Sequence, residues 1–411
     1  MKYLLSKIHF GGDKIIWRII IFLFLFSVLA IFSTSNKVAA MDGYRHSVHW
    51  YLINRHLVFF VVGLILMFIF HRIPISVYKN FATLSLIVSI GLLVYLLLFG
   101  KTINGATRWI SVGVITFHPV EVAKISVVLY LASVLEDAVF DDFKDVLKKI
   151  VLPIGTICIL TFTAGISMGL LLGIICMSIL FVGGLKLRYL FKICGLAIAG
   201  LVLLVAMGLT VKWPSRVATG AVRIVNFLGI GNSNTKSADD ATYDVSQPVL
   251  AKMAVASGGF VGKGPGRSVQ RYLLPHADSD FVFAIIIEEY GLIIGILLLI
   301  AYMALLYRAV IIAKKCTRIF SSVTVLGLML MIVFQAMLNM AVSVGVFPVT
   351  GQTLPFISRG GTSILCTGIA FGIILSVSRA ANIQEISQKE SDTNEKYIPN
   401  DTNEKKVEYN G

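Results

Sequence analysis

The chain has 411 residues, 57% of them hydrophobic and 14% charged, with mean hydropathy +0.85 and a formal net charge of +14. A soluble domain carries roughly a quarter charged residues, so the composition excludes one; the lack of ~10-residue alternating segments excludes a transmembrane β-barrel. The positive charge is scattered over short loops rather than gathered into one patch, which fits membrane topology, with some excess for anionic lipid or substrate, and argues against nucleic acid.

Apolar stretches of about twenty residues, each able to cross ~30 Å of hydrocarbon, recur near 16–34, 52–70, 80–100, 118–136, 149–165, 167–184, 190–210, 281–306, 321–347 and 362–379. They predict an all-α polytopic membrane protein with about ten transmembrane helices. The first stretch lacks a small-residue cleavage pattern and reads as a retained helix. Only Ala164-Gly-Ile-Ser167 separates the fifth and sixth spans. Basic residues flank alternate ends: Lys2, Lys7, Lys14 and Arg18, then Arg72 and Lys79, Lys186, Arg188 and Lys192, and Arg308, Lys314, Lys315 and Arg318. This bias puts both termini in the cytoplasm.

Residues 1–15 then form a cytoplasmic N-terminus, 16–379 the membrane domain, and 380–411 a polar, disordered cytoplasmic tail poor in large apolar residues. Four loops lie outside, near 35–51, 101–117, 211–280 and 348–361, the third much the longest. Within it, Val217, Ala221, Val222, Ile224, Val225 and Leu228 are spaced as a short surface helix, and 231–240 reads as polar and mobile. The five cysteines have no paired spacing and read as small buried hydrophobes. No long internal repeat supports an inverted-repeat transporter.

Three outer segments carry unusual chemistry. In the first, Asn104-Gly-Ala-Thr-Arg-Trp-Ile110 precedes Phe117-His-Pro-Val-Glu-Val-Ala-Lys124. Pro119 can open a helix, and Glu121 and Lys124 share one face of it, either as a mutual ion pair or as the wall of a polar cavity. The second runs from Ser257 through glycines 258, 259, 262, 264 and 266 to Ser268, with Asp278 and Asp280 at the mouth of the next span and Glu288 and Glu289 deeper. Glycines let backbone amides approach an anion, and Lys263, Arg267 and Arg271 could face phosphate. The third, Phe347 to Ser363, holds two prolines and three glycines. Such irregular backbone survives at membrane depth only when buried in protein or lining a cavity. Gln335 and Asn339 on the preceding span are placed as interhelical hydrogen-bond donors.

Together the three segments resemble the SEDS family (shape, elongation, division and sporulation), nearer its FtsW branch than its RodA branch. The similar family patterns are N-G-x-R-R-W-I followed by F-Q-P-S-E-x-A-K; a glycine run leading to L-P-E-A-H-T-D-F and E-E-x-G; and P-x-T-G-x-x-L-P-F-x-S-x-G-G. This chain departs at His118, at His276, Asp278 and Ser279, which stand where E, H and T are usual, and at Arg359 in place of the common Tyr. Phe162-Thr-Ala-Gly-Ile-Ser167 stands in place of the usual P-D-x-G-T element.

The resemblance implies a peptidoglycan glycosyltransferase that polymerises lipid II at the outer face of the bacterial inner membrane, in division or, alternatively, elongation. A lipid II flippase is the alternative of a different class. The family's essential aspartate falls on Asp280, with Asp278 a second candidate base. Arg108, Trp109, Glu121, Lys124, Lys263, Arg267, Arg271, Glu288, Glu289 and Ser358 fall on supporting or substrate-binding positions. The implied reaction inverts the donor's configuration, with the cations, alone or with Mg or Mn, stabilising the leaving pyrophosphate. The implied partners are a class B penicillin-binding protein, divisome proteins and membrane lipids.

Overall fold

The computed structural model describes residues 11–41, 45–103, 106–112, 115–138, 140, 142–210, 238–274 and 277–396. Each expected span coincides with a helix: α1 Lys14–Met41, α2 Arg45–Arg72, α3 Ile75–Phe99, α4 Pro119–Asp137, α5 Phe143–Ala164, α6 Ile166–Val182, α7 Leu187–Thr210, α10 Val282–Lys315, α11 Ile319–Ser343 and α12 Gly361–Lys396. Among the described residues, α1, α2, α3, α5, α10, α11 and α12 each hold a stretch long and apolar enough to cross a membrane. Helix α4 falls short because 19 residues carry Glu121, Lys124, Glu136 and Asp137, and α6 because it has only 17 residues.

The breaks between helices follow from local sequence. Pro119 opens α4, where a missing amide costs nothing. Gly165, in extended backbone, separates α5 from α6. Asp13 caps α1, its Oδ1 accepting from the amides of Ile15 (2.8 Å) and Ile16 (3.2 Å). Its Oδ2 accepts from Arg308 Nε at 3.0 Å, tying the start of α1 to α10.

Helices α11 and α12 are central, with 67% and 78% of their apolar stretches buried against 28% for α2, α3 and α5. Helices α2 and α12 pack backbone to backbone. A Cβ added at Gly368 would lie 2.5 Å from the Gly63 carbonyl oxygen, and one at Gly372 would lie 2.6 Å from that of Met67. Small residues are what allow such a close approach between membrane helices.

Two expectations are corrected, and a segment read only as a loop carries short strands. Outer segment 101–117 is an antiparallel meander, β1 Lys101–Ile103, β2 Ala106–Val112 and β3 Ile115–Phe117, with Lys101 opposite Trp109 and Ile110 opposite Phe117. The polar stretch at 231–240 ends inside a helix, α8 Ala238–Gly258, which packs along α10, with the short α9 Gln270–Leu273 between them in the chain. Its buried Ala251 and Ala254 join Leu274, Ala277, Phe281, Ala284, Ile285 and Val342 in a small core of their own, and this apolar face overrides the polar start. The tail does not begin at 380, because α12 continues to Lys396. Ala381 is buried and Glu385 pairs with Lys315 at 2.7 Å, so the end of α10 supports the extension. The surface helix expected near 217–228 lies outside the described residues.

Candidate active site

Helix α10 is interrupted at Gly291, whose φ of +82° lies in the left-handed region that favours glycine. In an unbroken helix the amides of residues 292 and 293 would bond the carbonyls of 288 and 289. Here Leu292 N donates to Gly259 O (3.0 Å) and Ile293 N to Phe260 O (3.4 Å). The two freed carbonyls accept instead from the glycine loop: Lys263 N to Glu288 O and Gly264 N to Glu289 O, both 2.9 Å. The loop and the broken helix thus complete each other's backbone bonding, which an apolar surrounding requires. The approach is close enough that a Cβ at Gly258, Gly262 or Gly291 would fall 2.1–2.3 Å from a carbonyl oxygen.

The side chains continue this inward arrangement. Glu288 is fully buried, and its carboxylate accepts from Lys263 Nζ (2.6 Å), Val269 N (3.1 Å), Gln270 N (3.3 Å), Ser257 Oγ (3.3 Å) and the Ser268 hydroxyl. Glu289, also buried, accepts from Ser268 N (3.3 Å) and the Ser33 hydroxyl, with Arg271 Nη1 at 3.6 Å. Arg271 donates from Nη1 to Ser33 O (3.0 Å) and from Nη2 to the Tyr272 hydroxyl (2.7 Å).

The sequence pointed to an anion cradle of amides and cations facing outward. The geometry places the protein's own carboxylates in that cradle. Lys263 and Arg271 are engaged with Glu288 and Glu289, leaving Arg267 as the exposed cation of this loop without an ion pair among the described residues.

The turn before α10 carries Asp278 and Asp280. Its three successive carbonyls are each held by one donor: Asp278 O by Arg359 N (2.8 Å), Ser279 O by Ser358 Oγ (2.6 Å) and Asp280 O by Asn339 Nδ2 (2.9 Å). Arg359 Nη1 also lies 2.7 Å from Asp278 Oδ2. Asp278 is thus engaged by Arg359, and two of the departures from the family pattern pair with each other. The half-buried Asp280 is the acid that this clamp orients.

The donors come from the segment 347–360 between α11 and α12. As expected, its irregular backbone is buried: Leu354, Phe356, Ile357 and Ser358 are each 2% exposed or less. Side chains satisfy it. Ser167 Oγ donates to Thr350 O (2.8 Å), Tyr302 Oη to Pro355 O (2.5 Å) and Asn339 Nδ2 to Gln352 O (2.7 Å). Phe356, at φ +66°, packs between Phe60 and Phe371 at centroid distances of 5.7 and 5.2 Å.

Of the two readings left open, Glu121 and Lys124 form the mutual ion pair, at 2.9 Å, and Lys124 Nζ also donates to Gln335 Oε1 at 2.6 Å. Gln335 Nε2 donates to Thr353 O at 3.0 Å. One turn of α11, from Gln335 to Asn339, thereby links the first and third segments to the Asp280 turn. Trp109 meets the ring of His118 edge-on at 5.2 Å. Arg108 lies on β2, its side chain outside the described residues. Among the described residues no three His, Cys, Asp or Glu side chains converge as a metal cage. Asp278 pairs with Arg359, so the described residues alone do not build a divalent-cation cage beside Asp280.

Two residues fell outside the sequence motifs. Ser33 on α1 reaches Glu289 and Arg271, and Tyr302 on α10 reaches the third segment. Both were hidden in apolar runs, and an isolated hydroxyl there carries no spacing signal.

A family model described as a cell cycle protein, FtsW/RodA/SpoVE, matches residues 13–383. This chain belongs to that family. The FtsW/RodA/SpoVE member described here is 31% identical over 384 residues to the probable peptidoglycan glycosyltransferase FtsW of Coxiella burnetii, covering 91% of this chain and 98% of that one. It is 28% identical to stage V sporulation protein E of Bacillus subtilis, over 89% of this chain and 97% of the other. Among solved structures, a chain of a peptidoglycan synthase complex coordinating polymerization and crosslinking superposes with TM-score 0.68 at 26% identity, over 90% of this chain and 98% of that one. The rod shape determining protein RodA of Thermus thermophilus does so with TM-score 0.61 at 26% identity, over 90% and 97%.

Proposed function

We propose that this chain is a peptidoglycan glycosyltransferase that polymerises lipid II at the outer face of the bacterial inner membrane, with both termini cytoplasmic. The observation that carries the reading is Asp280, fixed at the mouth of α10 by donors from the third segment and α11, in a chain of this family. In the proposed reaction Asp280 takes the proton of the acceptor sugar hydroxyl. That oxygen bonds the anomeric carbon of the donor from the face opposite the polyprenyl pyrophosphate, which leaves with its bonding electron pair. Configuration inverts and no covalent enzyme intermediate forms.

Arg267 is the loop cation proposed to face the leaving pyrophosphate. Arg108, Trp109 and Glu121 are the remaining candidates for substrate contact. Lys124, Lys263, Arg271, Glu288, Glu289 and Ser358 hold the framework around them. The names of the relatives favour a septal, FtsW-like role; the likeness to RodA keeps elongation as the second reading. A class B penicillin-binding protein is the proposed partner, supported by the likeness to a synthase complex.

The test is glycan-strand formation from purified lipid II by wild type and Asp280→Asn, each with and without a class B partner. Polymer from wild type alone is expected. Polymer from both proteins would move the base elsewhere, first to Asp278 or Glu121. No polymer from either, with the complex folded and lipid II translocated instead, would replace the polymerase by a flippase.

A further inference from the structure

A cavity of about 470 Å³ opens at the far end of α10 from Asp280, roughly 50 Å along the helix at 1.5 Å per residue. The α2–α3 turn, the α10–α11 turn and α12 enclose it. Its charged lining residues are Arg318 and Arg379, with no acid among them. Arg318 is exposed and makes no ion pair among the described residues. Arg379 donates from Nη2 to Arg72 O at 3.3 Å, leaving its other donors.

Two 25-residue helices begin at the cavity: α3 after Pro74, with no side-chain cap, and α11 after Arg318, where the Phe320 amide donates to Glu136 Oε1 at 3.4 Å. The uncapped start of α3 adds its positive end to the two guanidinium charges. Ser321, 6% exposed, lines the cavity, and its hydroxyl makes no hydrogen bond among the described residues. The nearby acids are already matched: Glu136 with Lys79 at 2.6 Å, Glu385 with Lys315 at 2.7 Å. The rest of the wall, Ile75 and Val377 among it, is apolar.

We infer that this cavity binds the phosphate headgroup of an anionic membrane phospholipid. Guanidinium groups, the start of α3 and a buried hydroxyl are the donors a phosphate oxygen needs. The apolar wall beside them suits the glycerol and first acyl carbons, and the adjoining spans place the cavity at a bilayer boundary. The site is separate from the proposed polymerase chemistry and stands without it.

The test is native mass spectrometry of the full chain in neutral detergent, titrated with dioleoylphosphatidylglycerol or dioleoylphosphatidylcholine, for wild type, Arg318→Gln and Ser321→Asp. Wild type is expected to prefer phosphatidylglycerol. Each variant, with its unfolding midpoint unchanged, is expected to lose that preference by about tenfold, the scale of one charge-assisted bond. Equal retention of the two lipids by wild type, or phosphatidylglycerol binding by both variants as in wild type, would overturn the site. Displacement of the lipid by an equal concentration of glycerol 3-phosphate would overturn the lipid assignment in favour of a soluble phosphate ligand.

Discussion

Lys263 offers the sharpest separation between a loop that grips substrate and one that grips its own helix. Its Nζ lies 2.6 Å from Glu288 Oε1, with the lysine side chain 32% exposed and the glutamate 0%. Breaking a fully buried pair costs about 3–5 kcal/mol. Here the carboxylate keeps the Ser268 hydroxyl and two amides, and the lysine is already partly solvated, so Lys263→Met is expected to cost about 2 kcal/mol. Glu288→Gln, which leaves a cation able to reach water, is expected to cost a similar amount.

If the two residues serve each other, the double variant loses about 2.5 rather than 4 kcal/mol, a coupling of about 1.5 kcal/mol. Hydrogen exchange over residues 257–274 reads this directly, because the loop amides are bonded to α10. Protection should fall about 30-fold in each single variant and about 60-fold in the double, against about 700-fold for independent sites. Additive losses, or wild-type protection in Lys263→Met together with a raised KM for lipid II, would refute the pairing and return the ammonium group to the substrate.

Three other perturbations follow from the same geometry. Asn339→Leu strands the Asp280 and Gln352 carbonyls at about 1 kcal/mol or more each; kcat for polymerisation should drop at least tenfold with KM nearly unchanged, as measured by lipid II kinetics. Arg359→Asp should lower polymerisation about fivefold, since the Asp278 pair is partly exposed and worth about 1 kcal/mol. Adding Asp278→Arg should recover most of the loss, and the absence of recovery would reduce the pair to a surface contact. Gly291→Ala forces an alanine to φ +82° with its Cβ 2.2 Å from Phe260 O, so thermal unfolding should shift down by more than 2 kcal/mol.

The membrane architecture was legible because twenty-residue apolar runs are a strong, local signal, and all ten expected spans coincide with helices. Proline and glycine punctuation located the opening of α4 and the break before α6. The site residues were legible as types in a pattern, but their directions were not. Nothing in the glycine loop's spacing says whether its amides face a substrate or the carboxylates eighteen or more residues later, because that depends on the break at Gly291. A glycine at the end of E-E-x-G looks the same in a continuous helix. The Asp278–Arg359 pair was visible only as two unrelated departures from a family pattern, since eighty positions separate them. Helix α8 was missed because its apolar face is thin and its first residues are polar.

Ser33 holds Glu289 and Arg271 across separations of 256 and 238 residues. At a ribosomal pace of about 5–20 residues per second, the partners of that serine emerge roughly 12–50 s after the first helix. The opening helix therefore waits in the bilayer with an unmet hydroxyl in its C-terminal half while most of the bundle is still being made. The glycine loop can close only when α10 arrives. Assembly of the glycine-loop site is a late event in the birth of the protein, and a chain stalled before α10 would hold its early helices without a site.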